Sequence, residues 1–170
     1  MDFLELAKNR YSVRKFKKES IDDSVINQIL EAAMVAPTAC NNQPIKIYVS
    51  KSEESKNKIH KCTGSHFYAP LFMVVCYDNT QCWKRSFDGK TSGEIDASIV
   101  ATHIMLEAYS LGVGSTWVMN FNPSMLVKEL NMPSNIIPTV LLPIGYPAQD
   151  VLPSIEHNTY KDINSIVEII

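Results

Sequence analysis

The spacing of apolar residues along this chain changes several times, and each change marks an element. Phe3, Leu4, Leu6 and Ala7 fit a short helix over 2–9. Ser20-Ile21-Asp22-Asp23 forms a capping-box pattern. It precedes Val25, Ile26, Ile29, Leu30, Ala33 and Met34, which recur at helical spacing, and Pro37 limits that helix at about Val35. Ile45, Ile47 and Val49 alternate with Lys46 and Tyr48, the pattern of a half-buried strand. Residues 52–62 read as a polar helix, and 71–77 form an unbroken apolar run that fits a central strand. Residues 78–93 read as a long polar loop carrying Trp83 and Phe87, of a length common in lids and binding loops.

The longest expected helix covers 94–111, with Gly112 as its C-cap. Ile95, Ile99, Thr102, Leu106 and Tyr109 line one face. Ala97, Val100, Ala101, Ile104, Met105 and Ala108 carry the apolar surface round the rest of the barrel. A helix of that kind is buried on nearly all sides, and a subunit interface is one source of the second cover. Asn122-Pro123 opens a further helix, with Asn at the N-cap and Pro at the first helical position. Its apolar face comes from Met125, Leu126 and Leu130. Residues 139–147 read as a strand running into a turn, and 162–170 are apolar enough to dock.

Composition narrows the class. At 170 residues, with 45% hydrophobic and 20% charged residues, the chain is expected to form one folded domain over 1–170. A net charge of -2 argues against general nucleic-acid binding. Four cysteines without a CxxC, and four histidines without ligand spacing, give no metal site. Residues 1–5 lack a signal peptide's apolar core, and no apolar run reaches membrane-span length. The expectation is a cytoplasmic protein with reduced thiols and no membrane partner.

Two stretches carry chemistry. Six of the sixteen Lys and Arg residues lie within 8–18, a local positive field on a slightly acidic chain. Arg10, Ser12 and Arg14 alternate, so an extended backbone turns them to one side, where two guanidinium forks and a hydroxyl suit a phosphate. A solvated basic turn is the plainer alternative. Residues 36–44 hold two prolines, small side chains and the carboxamides of Asn41, Asn42 and Gln43. They fit either an ordinary turn or a pre-shaped loop whose backbone approaches a flat ligand. Gly112-Val113-Gly114 follows a helix and lacks a third glycine, so it is not a dinucleotide fingerprint.

Arg10-Tyr11-Ser12-Val13-Arg14-Lys15-Phe16, then Ala36-Pro37-Thr38-Ala39-Cys40-Asn41-Asn42-Gln43-Pro44, then 111–118 followed by Ile144-Gly145-Tyr146-Pro147, occur in one order over nearly the whole chain. Together they resemble the nitroreductase-like FMN-dependent flavoprotein family. The resemblance implies an α+β fold, a mixed β-sheet sandwiched by helices, in an intertwined homodimer with two FMN sites at the interface. It implies that Arg10, Ser12 and Arg14, with Tyr11 between them, hold the FMN phosphate and reach the flavin pyrimidine edge. Pro37, Thr38, Ala39 and Asn41 match the loop that reaches the flavin from the partner subunit, and Gln43 and Pro44 complete its pattern. Val118, Met119 and Asn120 match the segment near flavin N5, and 94–111 matches the central dimer helix.

The chain departs from the family pattern in two places. Where relatives often carry Lys or Arg after the GYP segment, Ser154, Ile155 and Glu156 stand here, leaving the phosphate to Arg10 and Arg14, or to His157 or Lys161. Ile45 replaces a frequent Trp, and in so short a chain 78–93 takes over the narrowing of the substrate channel. The implied activity is ping-pong hydride transfer from NAD(P)H through flavin N5 to a nitroaromatic, quinone or similar small acceptor. The cofactor carries that chemistry, so no catalytic acid–base side chain is expected. Positive charge from Arg14 would favour the anionic reduced flavin. The rivals are a flavin-binding protein without turnover, for storage, sensing or donation, and a structural dimer with no cofactor.

Overall fold

The computed structural model describes residues 2–170. In chain order it contains α1 (Phe3–Asn9), α2 (Asp23–Met34), β1 (Ile45–Ser50), α3 (Glu53–Cys62), β2 (Leu71–Asp78), α4 (Gly93–Ser110), β3 (Gly114–Ser115), α5 (Pro123–Glu129) and β4 (Ile136–Gly145). The strands form one sheet in the order β1-β2-β4-β3, and each strand pair is antiparallel. The expected α+β sandwich is present. Its mixed character reduces to a single parallel bridge, between Ser12 and Ser115.

The unbroken apolar run of β2 has a simple cause. Leu71, Met73, Val75 and Tyr77 enter one core with α2 and α4, while Phe72, Val74 and Cys76 enter a second core with α3 and α5. Both faces are covered, so neither set of alternate positions is free to be polar. Strand β4 is sorted the same way, with Val140, Leu142 and Ile144 on one side and Ile136 and Leu141 on the other. The register of β2 and β4 slips between Val75 and Cys76, which pair with Val140 and Pro138 and leave Thr139 as a bulge. A bulge accommodates Pro138, which has no N–H to give a ladder.

Several expectations need correction. Strand β4 starts at Ile136 rather than 139, because Pro138 and the bulge interrupt the pattern without ending the strand. Asp22, not Ser20, precedes the first turn of α2, and its side chain makes no capping bond. Residues 78–93 are no open loop. Lys84 and Thr91 pair as an antiparallel bridge, and Arg85 ion-pairs with Asp88 across the tip that exposes Phe87. The tail 162–170 does not dock on its own chain, since Ile163, Ile166, Val167, Ile169 and Ile170 are all exposed.

Helix α4 is covered on one side only. Ala97, Val100, Ala101, Ile104 and Ala108 are buried against the sheet and α2. On the other side Ile95 is 54% exposed, and Ile99, Leu106 and Tyr109 are half-buried. The second cover expected for this helix is therefore not supplied by its own chain. Among the described residues no helix is long and apolar enough to cross a membrane.

A pair of histidines sits beside the second core. His60 stacks on His66 with ring centroids 4.1 Å apart, and His66 Nδ1 accepts the backbone N–H of Tyr68 at 3.2 Å. Burial pushes both imidazoles below their ordinary pKa of 6.5, and for His60 the neighbouring His66 and Lys56 add to it against Glu53. A histidine whose folded pKa is depressed is stabilising while neutral. The unfolded chain gains protons first as pH falls below about 6.5, so stability drops from there down to the folded value. The lowered carboxylates Asp78, Asp88 and Asp150 act only in a more acidic window. Thermal unfolding should thus show a lower midpoint at pH 5.5 than at pH 7.5. His60→Phe should shrink that difference, because it removes one of the two depressed imidazoles, and no bond is lost at His60 Nε2, which is buried without a hydrogen-bond partner among the described residues. Equal midpoints at the two pH values in the parent protein would contradict the account.

Candidate functional site

Residues 10–14 run along the outer edge of the sheet. The backbone N–H of Val13 donates to Ser115 O at 3.0 Å, beside the parallel Ser12–Ser115 bridge. Val13 points inward and is fully buried, so alternation turns Arg10, Ser12 and Arg14 the other way, half-buried, half-buried and exposed. Among the described residues neither Arg10 nor Arg14 forms an ion pair, whereas Lys15 is taken by Asp150. The segment then pairs with the residues after β4. Phe16 bridges Pro147, Lys17 N–H donates to Tyr146 O at 2.8 Å, and Ala148 N–H donates to Lys15 O at 3.1 Å. The chain returns once more through a 3₁₀ turn at Ile155–Asn158, setting the His157 ring 6.3 Å from that of Tyr11. Of the two substitutes for the absent basic tail residues, His157 thus reaches the segment, and Lys161 is exposed.

A cavity of about 520 Å³ opens beside Arg14. Arg14, Lys15, Phe16 and Lys18 form one wall, and Gly64, His66, Phe67 and Tyr68 the other. Sequence reading missed this second wall. Phe67 and Tyr68 hold left-handed backbones, φ 51° and 50°, without the glycine or asparagine that would have announced them. Thr63 links the turn to a third segment, since its Oγ1 donates to Asn120 O at 2.5 Å and accepts Ser65 N–H at 2.9 Å. That segment begins where Val118 exchanges two 3.0 Å backbone bonds with Leu141. Val118 is buried, Met119 is 70% exposed and Asn120 is exposed. Arg10, Tyr11, Ser12, Arg14, Val118, Met119 and Asn120 therefore gather on one edge of the sheet.

Pro37, Thr38, Ala39, Asn41 and Gln43 lie elsewhere. They form a turn leading into β1, at the opposite edge of the sheet, with a 3₁₀ turn at Ala39–Asn41. Cys40, Asn41 and Gln43 hold φ of 52°, 53° and 50°. Thr38 Oγ1 accepts Gln43 N–H at 3.0 Å, and Gln43 Nε2 donates to Asn41 Oδ1 at 2.9 Å. Ala39 N–H donates to Asp96 Oδ1 at 2.9 Å, which ties the turn to the first turn of α4. The basic segment pairs with β3, just past the other end of that helix. Eighteen residues of helix separate the two ends by about 27 Å. One chain does not bring the two groups together.

The model of the Nitroreductase family matches residues 7–69 and 67–146. The chain belongs to that family. A relative from Methanothermobacter thermautotrophicus is 31% identical over 157 residues, covering 88% of this chain and 80% of its own. The FMN reductase [NAD(P)H] of Bacillus subtilis is 26% identical over 155 residues, covering 81% of this chain and 62% of its own. A crystal structure of a nitroreductase family protein from Clostridium difficile 630 superposes with a TM-score of 0.92 at 37% identity, covering 99% of this chain and 98% of that one. The family match contains both groups of candidate residues, while His157 lies beyond it.

The position of the basic edge in this nitroreductase family member depends on one close approach. A Cβ on Gly114 would lie 2.5 Å from Val13 Cγ2 and 2.9 Å from its Cβ. Val13 is fully buried and has nowhere to go. Gly114→Ala should therefore force the 10–14 segment off β3 and destabilise the protein by about 1–3 kcal/mol. Denaturant unfolding checks the magnitude, and faster exchange of the Val13 amide checks the place. Unchanged stability and protection would show the contact to be slack.

Proposed function

We propose that the chain is an FMN-dependent NAD(P)H oxidoreductase of nitroreductase type, one FMN-binding domain acting as a homodimer with two composite sites. The observation that carries this is the separation of the two candidate groups to opposite ends of α4, together with the uncovered apolar side of that helix. If two copies pack their α4 helices antiparallel about a two-fold axis, the N-terminal end of one lies against the C-terminal end of the other. The 37–43 loop of one protomer then meets the basic edge of its partner, and this happens twice by symmetry. The exposed apolar tail residues supply further surface for the same contact.

The residues present fit FMN. Two guanidiniums without carboxylate partners among the described residues, and the Ser12 hydroxyl, suit its phosphate. The cavity beside Arg14, with Phe16, Phe67 and Tyr68 on its walls, suits a flat ring. Bound FMN would supply two-electron chemistry, taking hydride from NAD(P)H at N5 and reducing a nitroaromatic, quinone or similar acceptor in a second half-reaction. The protein's part is positioning and charge. Arg10, Ser12 and Arg14 anchor and orient, and Arg14 holds positive charge where negative charge would collect. Val118 is tied to Leu141 through both of its backbone groups, and the backbone N–H groups of Met119 and Asn120 beyond it lie on a rim kept in place by Thr63. The FMN reductase name of the Bacillus subtilis relative supports the cofactor and the donor class. A cytoplasmic setting agrees with the free state of Cys40, Cys62, Cys76 and Cys82.

Purified protein should carry or take up FMN, and NADH or NADPH should bleach its oxidised-flavin absorbance under anaerobic conditions, with colour returning on addition of a quinone. Protein that binds FMN but is not bleached by either nucleotide would be a flavin binder without this turnover. Protein that binds no FMN sinks the proposal altogether.

Mixed dimers test the composite site. Arg10→Ala should weaken FMN binding about 10- to 150-fold, the worth of a hydrogen bond to a charged group. Asn41→Ala should damage the ring contact instead. In a heterodimer of the two variants one site carries both lesions and the other carries neither. Purified heterodimers should therefore regain close to half of wild-type turnover, well above either parent. Activity no better than the parental average would mean that each site is built within one chain.

A further inference from the structure

Asp96 is buried to 1% exposure in the first turn of α4, and among the described residues it has no cationic partner. A buried carboxylate is unfavourable unless hydrogen bonds satisfy it, and both of its oxygens are used. Oδ1 accepts the backbone N–H of Ala39 at 2.9 Å, and Oδ2 accepts the hydroxyl of Ser92 at 2.6 Å. The positive end of the helix favours negative charge at the same place.

What Asp96 holds is under strain. Cys40, Asn41 and Gln43 are all left-handed, a shape that asparagine tolerates but Cys40 and Gln43 do not favour. Two such residues within four positions persist only if the surroundings impose them. The bonds of Thr38 and Gln43 close the turn on itself but do not fix it to the fold. The exposed Asn42 carboxamide makes one 3.2 Å bond to Gln81 O. The Ala39–Asp96 bond is the one that reaches buried structure, and it enters the turn one residue before the first strained position.

We propose that Asp96 is a positioning residue, a buried latch that holds the 38–43 turn in its strained, ligand-ready shape for the site of the neighbouring protomer. This rests on the reading of that turn as a flavin contact. Asp96 itself touches no ligand, because its oxygens are committed to Ala39 and Ser92. Its action is geometric. An asparagine there can accept the Ala39 N–H with its oxygen and donate to Ser92 Oγ with its amide, preserving the latch without the charge. An alanine removes both bonds.

The test uses Asp96→Ala, Asp96→Asn and Ser92→Ala in the full-length protein. Amide exchange over 39–43 is measured without flavin, and FMN affinity and the visible circular dichroism of the bound flavin are measured with it. Asp96→Ala should lose protection at Ala39, bind FMN about 10- to 100-fold more weakly, and give an altered flavin spectrum at saturation. Asp96→Asn should restore all three to within about threefold of the parent, a rescue that loss of a generic core contact would not give. The proposal is overturned if Asp96→Ala keeps Ala39 protected, if protection is lost while FMN binding is unchanged, or if asparagine is no better than alanine. Should Asp96→Ala fail to fold, Ser92→Ala leaves the carboxylate in place but frees one oxygen. It should loosen the turn and FMN binding in the same direction to a lesser degree, and no effect there overturns the latch. If the parent protein takes up no FMN, the functional reading fails, and the exchange experiment still decides whether Asp96 holds the turn.

Discussion

Two-sided burial of β2 and β4 is the constraint on which the rest of the structure hangs. Alternate residues of each strand enter different cores, so both strands are apolar except for Asp78 at the end of β2 and Thr139 at the bulge, and neither face can carry polar chemistry. The candidate polar groups lie at the two edges of the sheet. Residues 10–14 lie along β3, and 37–43 lead into β1, at the opposite edge of the four-stranded sheet. Edge placement also leaves backbone groups outside the ladder, among them the N–H groups of Met119 and Asn120.

Helix α4 converts that division into a geometry. Its inner side packs on the sheet through small residues, among them Ala97, Ala101 and Ala108, which bring the helix close. Gly93 at its start leaves no room for a side chain, since a Cβ would meet the Tyr77 ring at 2.2 Å. With the helix pressed down in this way, its two ends become fixed points. One carries Asp96 and the strained turn, and the other leads through Gly112, at φ 75°, into the strand that supports the basic segment. The length of a helix thus sets the distance between the two groups of candidate residues.

What the sequence shows and hides follows from the same physics. The run at β2, the C-cap at Gly112 and the N-cap at Asn122, whose Oδ1 accepts Met125 N–H, are local signals, and they are legible. Strand β3 is two residues long and owes its place to the fit of Gly114 on Val13, which no period announces. Pro138 hides the start of β4 because a bulge can absorb a proline. The apolar tail reads as a docking segment, but composition does not say on which molecule it docks. In the candidate site, alternation turns Arg10, Ser12 and Arg14 to one side, and the resemblance groups them with 37–43 and 118–120. It does not reveal that His66, Phe67 and Tyr68 face Arg14, or that one acidic residue in the first turn of a helix is buried against a turn 57 positions earlier.

The cysteines give the strained turn an unexpected chemical consequence. Burial pushes the Cys76 thiol up to about 12, and burial also raises Cys62 and Cys82, each with nearby carboxylates adding to it. Cys40 alone of the four is exposed, and it sits in the turn at a left-handed position. A thiol-directed electrophile added to this protein therefore meets a single accessible thiol per chain, placed where a bulky adduct would disturb the 38–43 turn. Inactivation by a thiol reagent, and protection from it by a bound ligand, would look like the signature of a catalytic nucleophile. Here it would report only that a wall had been thickened.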